Sequence, residues 1–300
     1  MDDSPFTASI VIPCRNAVAT VGASVRTALT QTVSPLEVLV IDDASSDSSA
    51  DAADSAGARV IRLEQHSNAG GARNRGIEAA RGNVLAFLDA DVEIAPDWLA
   101  IVKEVLASHP SIVAVGGRIF NGQPNVWAEL DLLLNHSEWI SGKGRLCRTY
   151  PTMAIAYRRN AVGHVRFPAT NFGEDTFFAL AVQAQGGRIW YEPRIRILHK
   201  HERLDGKKFW RRQVDAGKQL YWTRRSLDLP GKILFRRPIL LFVFPHLWLV
   251  VGRMWKQGMV GKAIALFPLL FAGEIARIFG FLSARRADHR GRTLEQEASA

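Results

Sequence analysis

The chain has 300 residues, of which 47% are hydrophobic and 22% charged, so its length suits a large domain with an appendage and its composition excludes a disordered protein. Residues 1–202 carry 19 basic and 22 acidic residues, a net charge of −3, whereas residues 203–300 carry 19 and 7, a net charge of +12. This basic last third predicts an anionic partner surface, either lipid headgroups or nucleic acid.

The two cysteines and the N-terminus indicate the compartment. Cys14 and Cys147 lie far apart and lack the spacing of metal ligands, which predicts free thiols in a reducing compartment and argues against zinc. The first nine residues are acidic and polar, without the basic start and apolar core of a secretory signal. We therefore expect the body of the protein to stay in the cytoplasm.

Short apolar runs alternate with helical patterns through the first hundred residues. The predicted strands are Ser9–Pro13, Glu37–Ile41, Arg59–Leu63 and Val84–Leu88, and the predicted helices are Val18–Gln31, an Ala-rich segment after the Asp/Ser-rich turn, Gly70–Arg81 and Trp98–Ser108. This alternation predicts βαβ units and an α/β fold, with a mostly parallel, Rossmann-like sheet covered by helices on both faces. Ligands of such sheets bind at the carboxyl ends of the strands.

The pattern is looser in the second half of the chain. Further strands are predicted at Ile112–Ile119, Thr152–Tyr157, Arg188–Tyr191 and Ile195–His199, and helices at Glu174–Gln185 and Lys207–Leu227. From Ile239 the composition changes to long apolar stretches. We therefore expect a boundary near Pro230, with an α/β domain at residues 1–230 and an apolar, basic helical region at residues 231–300.

Acidic side chains follow the second and fourth strands. Asp89 and Asp91 supply hard oxygen ligands that suit Mg²⁺ or Mn²⁺ holding a diphosphate, although a solvated loop with capping aspartates is the alternative for this tripeptide alone. Asp42 and Asp43 are placed to accept hydrogen bonds from a base N–H or a ribose hydroxyl. Helix capping by the Ser- and Asp-containing turn that follows is compatible with that role.

The string NAGGARNRG at residues 68–76 combines paired glycines with an arginine at a helix start. Gly70 and Gly71 would let the backbone approach a ligand closely. Arg73, one turn into the helix, would bring a planar cation toward a base or a phosphate. A helix N-terminus with a surface arginine is the alternative.

The strings PCRN (13–16), DDASSD (42–47), NAGGARNRG (68–76) and FLDAD (87–91), in this order, resemble the family 2 glycosyltransferases. The resemblance covers about residues 8–200 and implies the GT-A fold with a nucleotide-sugar donor. It implies that Pro13 and Asp43 border the nucleotide base, and it places Arg15, Arg73 and Asp89 in the nucleotide site.

The resemblance also implies a metal site. Asp89 and Asp91 would bind the ribose and a metal–diphosphate, with Mn²⁺ or Mg²⁺ as the metal; Val92 stands where many members carry another acid. His199 resembles the family's late histidine, which completes the metal shell, and His201 is a less favoured substitute. A packed or solvated histidine is the alternative for this position.

Glu174 and Asp175 precede an apolar helix and match the family's Glu-Asp pair. The match implies that Asp175, with Glu174 beside it, is the base for the acceptor hydroxyl. Attack opposite the departing nucleotide would invert the anomeric centre, and metal charge would offset that of the diphosphate. We expect the helix N-terminus to lower the pKa of Asp175 and to keep it ionised near pH 7. Acids that only stabilise a helix start are the alternative.

Processive polymer synthases of the family carry a QxxRW string. Gln213 is followed here by Val214-Asp215-Ala216-Gly217, so the string is absent. This difference predicts the transfer of one sugar per acceptor.

Two apolar stretches near the C-terminus predict membrane association. Ile239–Val251 is broken by a proline and is shorter than the roughly 20 residues that a spanning helix needs. Val260–Leu282 is long enough, but its three charges, Lys262, Glu274 and Arg277, lie within an arc of about 120°, which is an amphipathic arrangement. Two helices that lie in or re-enter the cytoplasmic leaflet fit this pattern best. A helical hairpin that forms a homodimer is the alternative.

The predicted partners are therefore a nucleotide-sugar donor, a glycan or lipid-linked acceptor and the cytoplasmic face of the cell membrane. A nucleotidyltransferase or a dinucleotide-dependent dehydrogenase would need a Gly-rich signature after the first strand, where PCRNA stands. A non-catalytic, membrane-associated scaffold remains a rival, although the acids of both motifs are intact. Aromatic residues of the basic third lie in apolar runs rather than among the charges, which argues against nucleic acid as a partner.

Overall fold

The computed structural model describes residues 5–170, 173–200, 205–227 and 245–291. The chain forms two compact units, one of Met1–Gly122 with Gly142–Glu202 and one of Gln123–Ser141 with Arg203–Ala300. The boundary expected near Pro230 lies outside the described residues. The second unit includes a helix, Gly206–Ser226, that the sequence pattern assigns to the first domain.

Nine strands and ten helices make up the described residues. The strands are β1 (Ala8–Cys14), β2 (Glu37–Asp42), β3 (Arg59–Arg62), β4 (Val84–Leu88), β5 (Val92–Ile94), β6 (Ile112–Asn121), β7 (Arg145–Cys147), β8 (Ala154–Arg158) and β9 (Arg188–His199). The helices are α1 (Val21–Leu29), α2 (Ser49–Ser55), α3 (Asn68–Ala79), α4 (Trp98–Ser108), α5 (Val126–His136), α6 (Arg159–Val162), α7 (Glu174–Gln183), α8 (Gly206–Ser226), α9 (Leu247–Lys256) and α10 (Val260–His289). Helices α5, α8, α9 and α10 belong to the second unit.

All nine strands form one mixed sheet in the first unit. Its order is β3-β2-β1-β4-β8-β6-β9-β5, and β7 pairs with β9 off this path. Strands β1 to β4 are parallel, as predicted, but β8 is antiparallel to both β4 and β6, and β9 is antiparallel to β5 and β7. The sheet is therefore mixed as a whole, and the parallel half carries the loops that follow β1, β2 and β4.

Strand β9 is continuous where two short strands were predicted. Its pairing with β6 shifts register between Gly117 and Arg118, which pair with Glu192 and Arg196. Pro193 lies in the stretch that this shift skips, and proline has no backbone N–H to donate to a neighbouring strand. The bulge thus lets one strand continue past a proline.

Helix α3 packs directly on β1 because residue 76 is glycine. A Cβ added to Gly76 would lie 2.1 Å from a methyl carbon of Val11. Val11 itself is fully buried, as are its neighbours in β1 and most of β4. The close approach holds the N-terminal turn of α3 beside the carboxyl edge of the parallel strands.

In the second unit, α8 and α10 cross with their backbones in close contact. A Cβ added to Gly217 would lie 2.0 Å from the carbonyl oxygen of Arg277. A Cβ added to Gly280 would lie 1.8 Å from the carbonyl oxygen of Val214. Glycine at both positions permits an approach that any side chain would block.

Polar side chains fill the interior between these helices and α5. Arg277 Nε donates to Gln213 Oε1 at 2.8 Å, Gln213 Nε2 donates to Asp131 Oδ1 at 2.9 Å, and Arg277 Nη2 donates to Asn135 Oδ1 at 2.6 Å. Glu274 is also fully buried, and His246 Nδ1 lies 2.6 Å from its carboxylate. Glu274 and Arg277, two of the three charges in the predicted amphipathic arc of α10, therefore lie inside the unit. Arg277 has its partners on α5 and α8, and Glu274 has His246.

The outer surface of α9 and α10 is apolar instead. The large exposed side chains of these two helices are Trp248, Leu249, Trp255, Val260, Ile264, Phe267, Phe271 and Phe279, and Ile264 is 71% exposed. Within the part of the chain that the structure describes, α10 is the one helix whose length and mean hydropathy of 1.7 would allow it to cross a membrane. Buried polar groups between α5, α8 and α10 are thus combined with exposed apolar side chains on α9 and α10.

Candidate functional site

The loops after β1 and β2 bind each other through side chains. Asn16 Oδ1 accepts a hydrogen bond from Ser46 N at 2.8 Å, and Asn16 N donates to Ser45 Oγ at 3.0 Å. Asn16 and Ala44 adopt positive φ angles of 50° and 55°; asparagine tolerates this left-handed region, whereas alanine adopts it at a cost in energy. These bonds define one end of the site, where Arg15 is exposed and Pro13 partly exposed.

Asp43 is buried and holds the segment that leads into α3. Its Oδ1 accepts from Ser67 N at 2.6 Å and from Ser67 Oγ at 2.9 Å, and its Oδ2 lies 2.7 Å from His66 Nδ1. A carboxylate offers about four lone-pair sites, so most of those of Asp43 are occupied within the chain, and its nucleotide contact stays a prediction. His66, which the sequence reasoning missed, lies beside Asp43 with 43% of its side chain exposed.

The paired glycines at the start of α3, Gly70 and Gly71, lie close to other atoms of the chain. Asn68 has a φ of 66°, and its Oδ1 accepts from Gly71 N at 3.0 Å, which caps the helix start. A Cβ on Gly70 would lie 3.1 Å from the carbonyl oxygen of Pro168, and one on Gly71 would lie 2.7 Å from Ser67 Oγ. Both glycines therefore lie close to other atoms of the chain, and the close approach of this backbone to a ligand stays a prediction.

Arg73 is buried and bridges two carboxylates. Its Nη2 lies 2.8 Å from Asp89 Oδ1, its Nη1 lies 3.2 Å from Glu174 Oε1, and its guanidinium lies 5.5 Å from the ring centroid of Phe167. Burial alone lowers the pKa of Arg73, but the two carboxylates raise it above the usual value, so the side chain stays charged. The alternative of a solvated surface arginine is thus wrong, and Arg73 joins the motif after β4 to the start of α7.

Asp91 and His199 meet through the pairing of β5 with β9. Val92 lies opposite His199 in this ladder, and the Nε2 atom of His199 lies 3.3 Å from Asp91 Oδ2. A carboxylate and an imidazole together form a donor pair that suits Mn²⁺. Asp89 points instead to Arg73.

Within the described residues, the donor set for a metal is thus incomplete. In the described ranges, no group of three His, Cys, Asp or Glu side chains is placed to hold a metal ion. Two donors fit an ion whose remaining ligands come from substrate oxygens and water, which is how Mg²⁺ is usually bound with phosphates. His201, the substitute ligand considered from the sequence, lies outside the described residues.

Asp175 lies in the first turn of α7 and is partly buried. Burial, and then the charge of Glu174, raise the pKa of Asp175 to about 6, while Arg73 acts in the opposite direction. The expectation that the helix N-terminus would lower this pKa is wrong, because a helix end contributes only about 0.3–1 kcal/mol, less than one pKa unit. A carboxylate with this pKa is mostly ionised at pH 7 and is close to the optimum for a general base.

An aromatic cluster lies around this carboxylate. Tyr157 packs edge-on to Phe178 and Phe87, with ring centroids 5.4 and 6.1 Å apart, and Phe167 stacks on Phe178 at 3.9 Å. The Tyr157 hydroxyl is buried and has no hydrogen-bond partner among the described residues. Burial and the nearby Asp175 raise the pKa of Tyr157. Sequence reasoning missed this cluster, although the aromatic residue in the β8 run AIAYR could have signalled it.

A mixed sheet with acidic side chains in the loops that follow β2 and β4 is the arrangement of the GT-A class of sugar transferases. A family model described as glycosyl transferase family 2 matches residues 9–167, more than half of the chain. The chain belongs to glycosyltransferase family 2.

Curated relatives match a shorter part of the chain. It is 40% identical over 92 residues to the uncharacterized glycosyltransferase YibD of Escherichia coli K12, covering 29% of this chain and 27% of that protein. It is 39% identical over 95 residues to the Escherichia coli enzyme WfgD, named a UDP-Glc:alpha-D-GlcNAc-diphosphoundecaprenol beta-1,3-glucosyltransferase, covering 30% of this chain and 36% of that one. The chain thus spans only about a third of the length of these relatives.

Solved structures share the fold over nearly the whole chain. The mannosyltransferase PcManGT of Pyrobaculum calidifontis, solved with GDP-Man and Mn²⁺, has a TM-score of 0.62 at 18% identity and covers 93% of this chain and 88% of its own. S. aureus TarS 1–349, solved with UDP-GlcNAc, has a TM-score of 0.54 at 16% identity and covers 95% and 92%. At this identity the comparison defines the fold alone.

Proposed function

We propose that this chain transfers a single sugar, with inversion, from a nucleotide-sugar donor to a lipid-linked glycan. The observation that carries the proposal is Asp175, a partly buried carboxylate with a pKa of about 6 beside the Glu174–Arg73–Asp89 cluster. A base with this pKa can take a proton from an acceptor hydroxyl near neutral pH. Relatives within the same family support the reaction class.

The other site residues have roles that follow from their positions. Asp43 and Pro13 would border the base, with Arg15 at the exposed rim. Arg73 would hold the Asp89 and Glu174 carboxylates in place and, from the helix start, contact the nucleotide. Asp91 and His199 would hold a divalent ion, Mn²⁺ or Mg²⁺, which when bound offsets the charge of the diphosphate. The solved structure of PcManGT, a complex with GDP-Man and Mn²⁺, supports this assignment.

The acceptor is inferred from a relative. WfgD is named for transfer to a sugar on diphosphoundecaprenol, a lipid-linked intermediate, and ExoO of Rhizobium meliloti is named a succinoglycan biosynthesis protein. An acceptor of this class would be met at the cytoplasmic face of the cell membrane. Surface polysaccharide or glycolipid assembly is the process that such an activity would serve.

The second unit supports attachment to that membrane. Its exposed Trp, Leu, Ile and Phe side chains on α9 and α10, combined with a hydrogen-bonded polar interior, suit helices whose outer face contacts lipid. Replacing Ile264 and Phe271 with asparagine should move the protein from the membrane fraction to the soluble fraction. A wild-type protein that stays soluble as a dimer without detergent would instead favour the homodimer. Truncation near residue 230 is a poor test, because it removes α10 from α8 and α5.

The deciding experiment is a donor screen. Purified protein is incubated with UDP-, GDP- and dTDP-sugars and a polyprenyl-diphosphate sugar acceptor, with Mn²⁺ or with EDTA, and nucleotide release and product are measured. We expect release with one donor, dependent on metal and acceptor, and a product of inverted anomeric configuration by NMR. Donor binding without turnover for any acceptor would favour the non-catalytic scaffold, and a retained configuration would overturn the role of Asp175.

A further inference from the structure

A half-open groove lies between α8 and the C-terminal end of α10. Its volume is about 530 Å³, within the range of small-molecule sites. It is lined by apolar side chains, those of Val214 on α8 and of Phe279 and Leu282 on α10, and by the polar groups of Ser283, Arg286 and Arg290. The groove therefore offers apolar surface and positive charge to the same ligand.

The two arginines are available to a ligand. Arg286 and Arg290 are exposed, and neither forms an ion pair with any residue that the structure describes. The acid nearest to them in sequence, Asp288, pairs with Arg225 at 3.2 Å. Because residues four apart lie on the same face of a helix, the two guanidinium groups can bind one anion, and their planar forks match phosphate oxygens.

The groove continues the apolar outer stripe of α10. Ile264, Phe267 and Phe271 follow each other at helical spacing along this stripe, and Leu282 and Arg286 extend it. The helix rises about 22 Å from Phe271 to Arg286. Over this length, the exposed side chains of the stripe change from apolar residues to arginine. Arginines at the end of an apolar stripe suit the level of lipid headgroups.

The wall that carries Val214 is held in place by backbone contact. Gly280 brings α10 against the carbonyl oxygen of Val214, so the spacing of the two helices at the groove is set by a glycine rather than by movable side chains. A groove with a defined width can select a ligand, whereas a loose surface charge cannot.

We propose that this groove, the Arg286–Arg290 groove, binds an anionic phospholipid, with the phosphate on the two guanidinium groups and an acyl chain along Phe279 and Leu282. The proposal rests on the membrane association proposed above and adds to it a defined site and a preference for a headgroup. Soluble phosphate compounds carry the same anionic phosphate group but lack an acyl chain.

Vesicle binding of the full-length protein tests the site. Wild type, Arg286→Gln/Arg290→Gln and a matched control, Lys207→Gln/Arg211→Gln, are each sedimented with phosphatidylcholine vesicles and with vesicles that also contain phosphatidylglycerol. The control removes two exposed charges of α8 that do not line the groove. We expect the groove variant to lose affinity for the anionic vesicles by a factor on the order of 10 to 30, and the control to retain most of it.

The remaining outcomes distinguish lipid binding in the Arg286–Arg290 groove from general membrane association. The groove variant should lose much less affinity for the neutral vesicles, because the apolar stripe is unchanged and the choline cation offsets the phosphate charge of phosphatidylcholine. Equal losses in both double variants would overturn the groove and leave general charge attraction, whereas a wild type that binds neither vesicle would overturn the membrane association itself. Thermal shifts with dihexanoyl phosphatidylglycerol and with glycerol 3-phosphate complete the test: stabilisation of wild type by the lipid alone supports the proposal, and equal stabilisation by both contradicts it.

Discussion

Arg73 and Glu174 are 101 residues apart in the sequence, and their side chains meet at 3.2 Å in the folded chain. The other end of the same guanidinium binds Asp89, in the motif that follows β4. The buried guanidinium of Arg73 therefore connects Asp89, which is assigned to the donor nucleotide, with Glu174, which belongs to the acid pair assigned to the acceptor. A change in the charge of Glu174 or Arg73 should therefore shift the pKa of Asp175, because both residues affect it.

Asp175→Asn should lower turnover by a factor on the order of 10² to 10⁴, the usual contribution of a positioned base. Nucleotide affinity should be retained, because the isosteric amide leaves the loops after β1 and β2 unchanged. Turnover, nucleotide affinity and melting temperature are measured on the same preparation. Near-wild-type turnover would move the base to Glu174, and a lower melting temperature with unchanged turnover per folded molecule would favour a purely structural acid.

Glu174→Gln should move the acidic limb of the pH–rate profile to lower pH. Asp175 must be ionised to act as a base, so activity should rise with pH through a pKa of about 6 in wild type. Removing the Glu174 charge takes away a cause that raises this pKa and leaves Arg73, which lowers it. The profile of kcat/KM against pH is the measurement, with the exposed Glu78→Gln as the control. An unmoved limb would mean that it reports another group.

The same pKa predicts how stability depends on pH. The folded-state pKa of Asp175 is raised above its unfolded value of about 3.9, so the folded state binds the proton more tightly. The contribution of this group to stability is therefore fully present below about pH 4 and is lost as pH rises through about 6. Asp175→Asn should flatten that part of the curve of unfolding free energy against pH. An unchanged slope between pH 4 and 6 would contradict the raised pKa.

Asp91→Ala should abolish Mn²⁺ binding while the fold survives, because Asp91 lies at a strand end with 30% of its side chain exposed. His199→Ala should weaken Mn²⁺ binding as well, whereas Glu93→Ala, one residue beyond Val92, should leave it intact. Calorimetric titration with Mn²⁺ in the presence of nucleoside diphosphate measures the ion independently of turnover. Full activity of the Asp91 variant, or of wild type in excess EDTA, would remove the metal from the proposed mechanism.

Gly280→Ala should destabilise the second unit by about 1–3 kcal/mol or more, because the new methyl group would lie 1.8 Å from the Val214 carbonyl oxygen and backbone must move. Gly252→Ala is the matched control in α9, where no atom lies within 4 Å of the added carbon. It should stabilise by about 0.5–1 kcal/mol through helix propensity. Urea unfolding of both variants tests the pair, and similar effects of the two substitutions would refute the backbone contact between α8 and α10.

Local patterns in the sequence were sufficient for most elements of the first unit. The apolar runs of β1, β2 and β4 predict buried parallel strands, and the predicted helix Trp98–Ser108 has the bounds of α4. These elements follow from side-chain periodicity and burial, which act over a few residues. Helix α5 was missed although Leu130, Leu133 and Leu134 have helical spacing, because its partners α8 and α10 lie far away in the chain.

The chemistry of the site depended on contacts that no local pattern contains. The sequence by itself determined the family, the order of the motifs and the identity of the acids, since these are matters of residue type and spacing. Only the tertiary structure decided that Arg73 is buried between Asp89 and Glu174, that Asp91 faces His199, and that Arg277 points inward. Each of these depends on strand register or helix packing between distant segments, and burial together with a neighbouring charge, rather than the helix end, determines the direction of the pKa shift of Asp175.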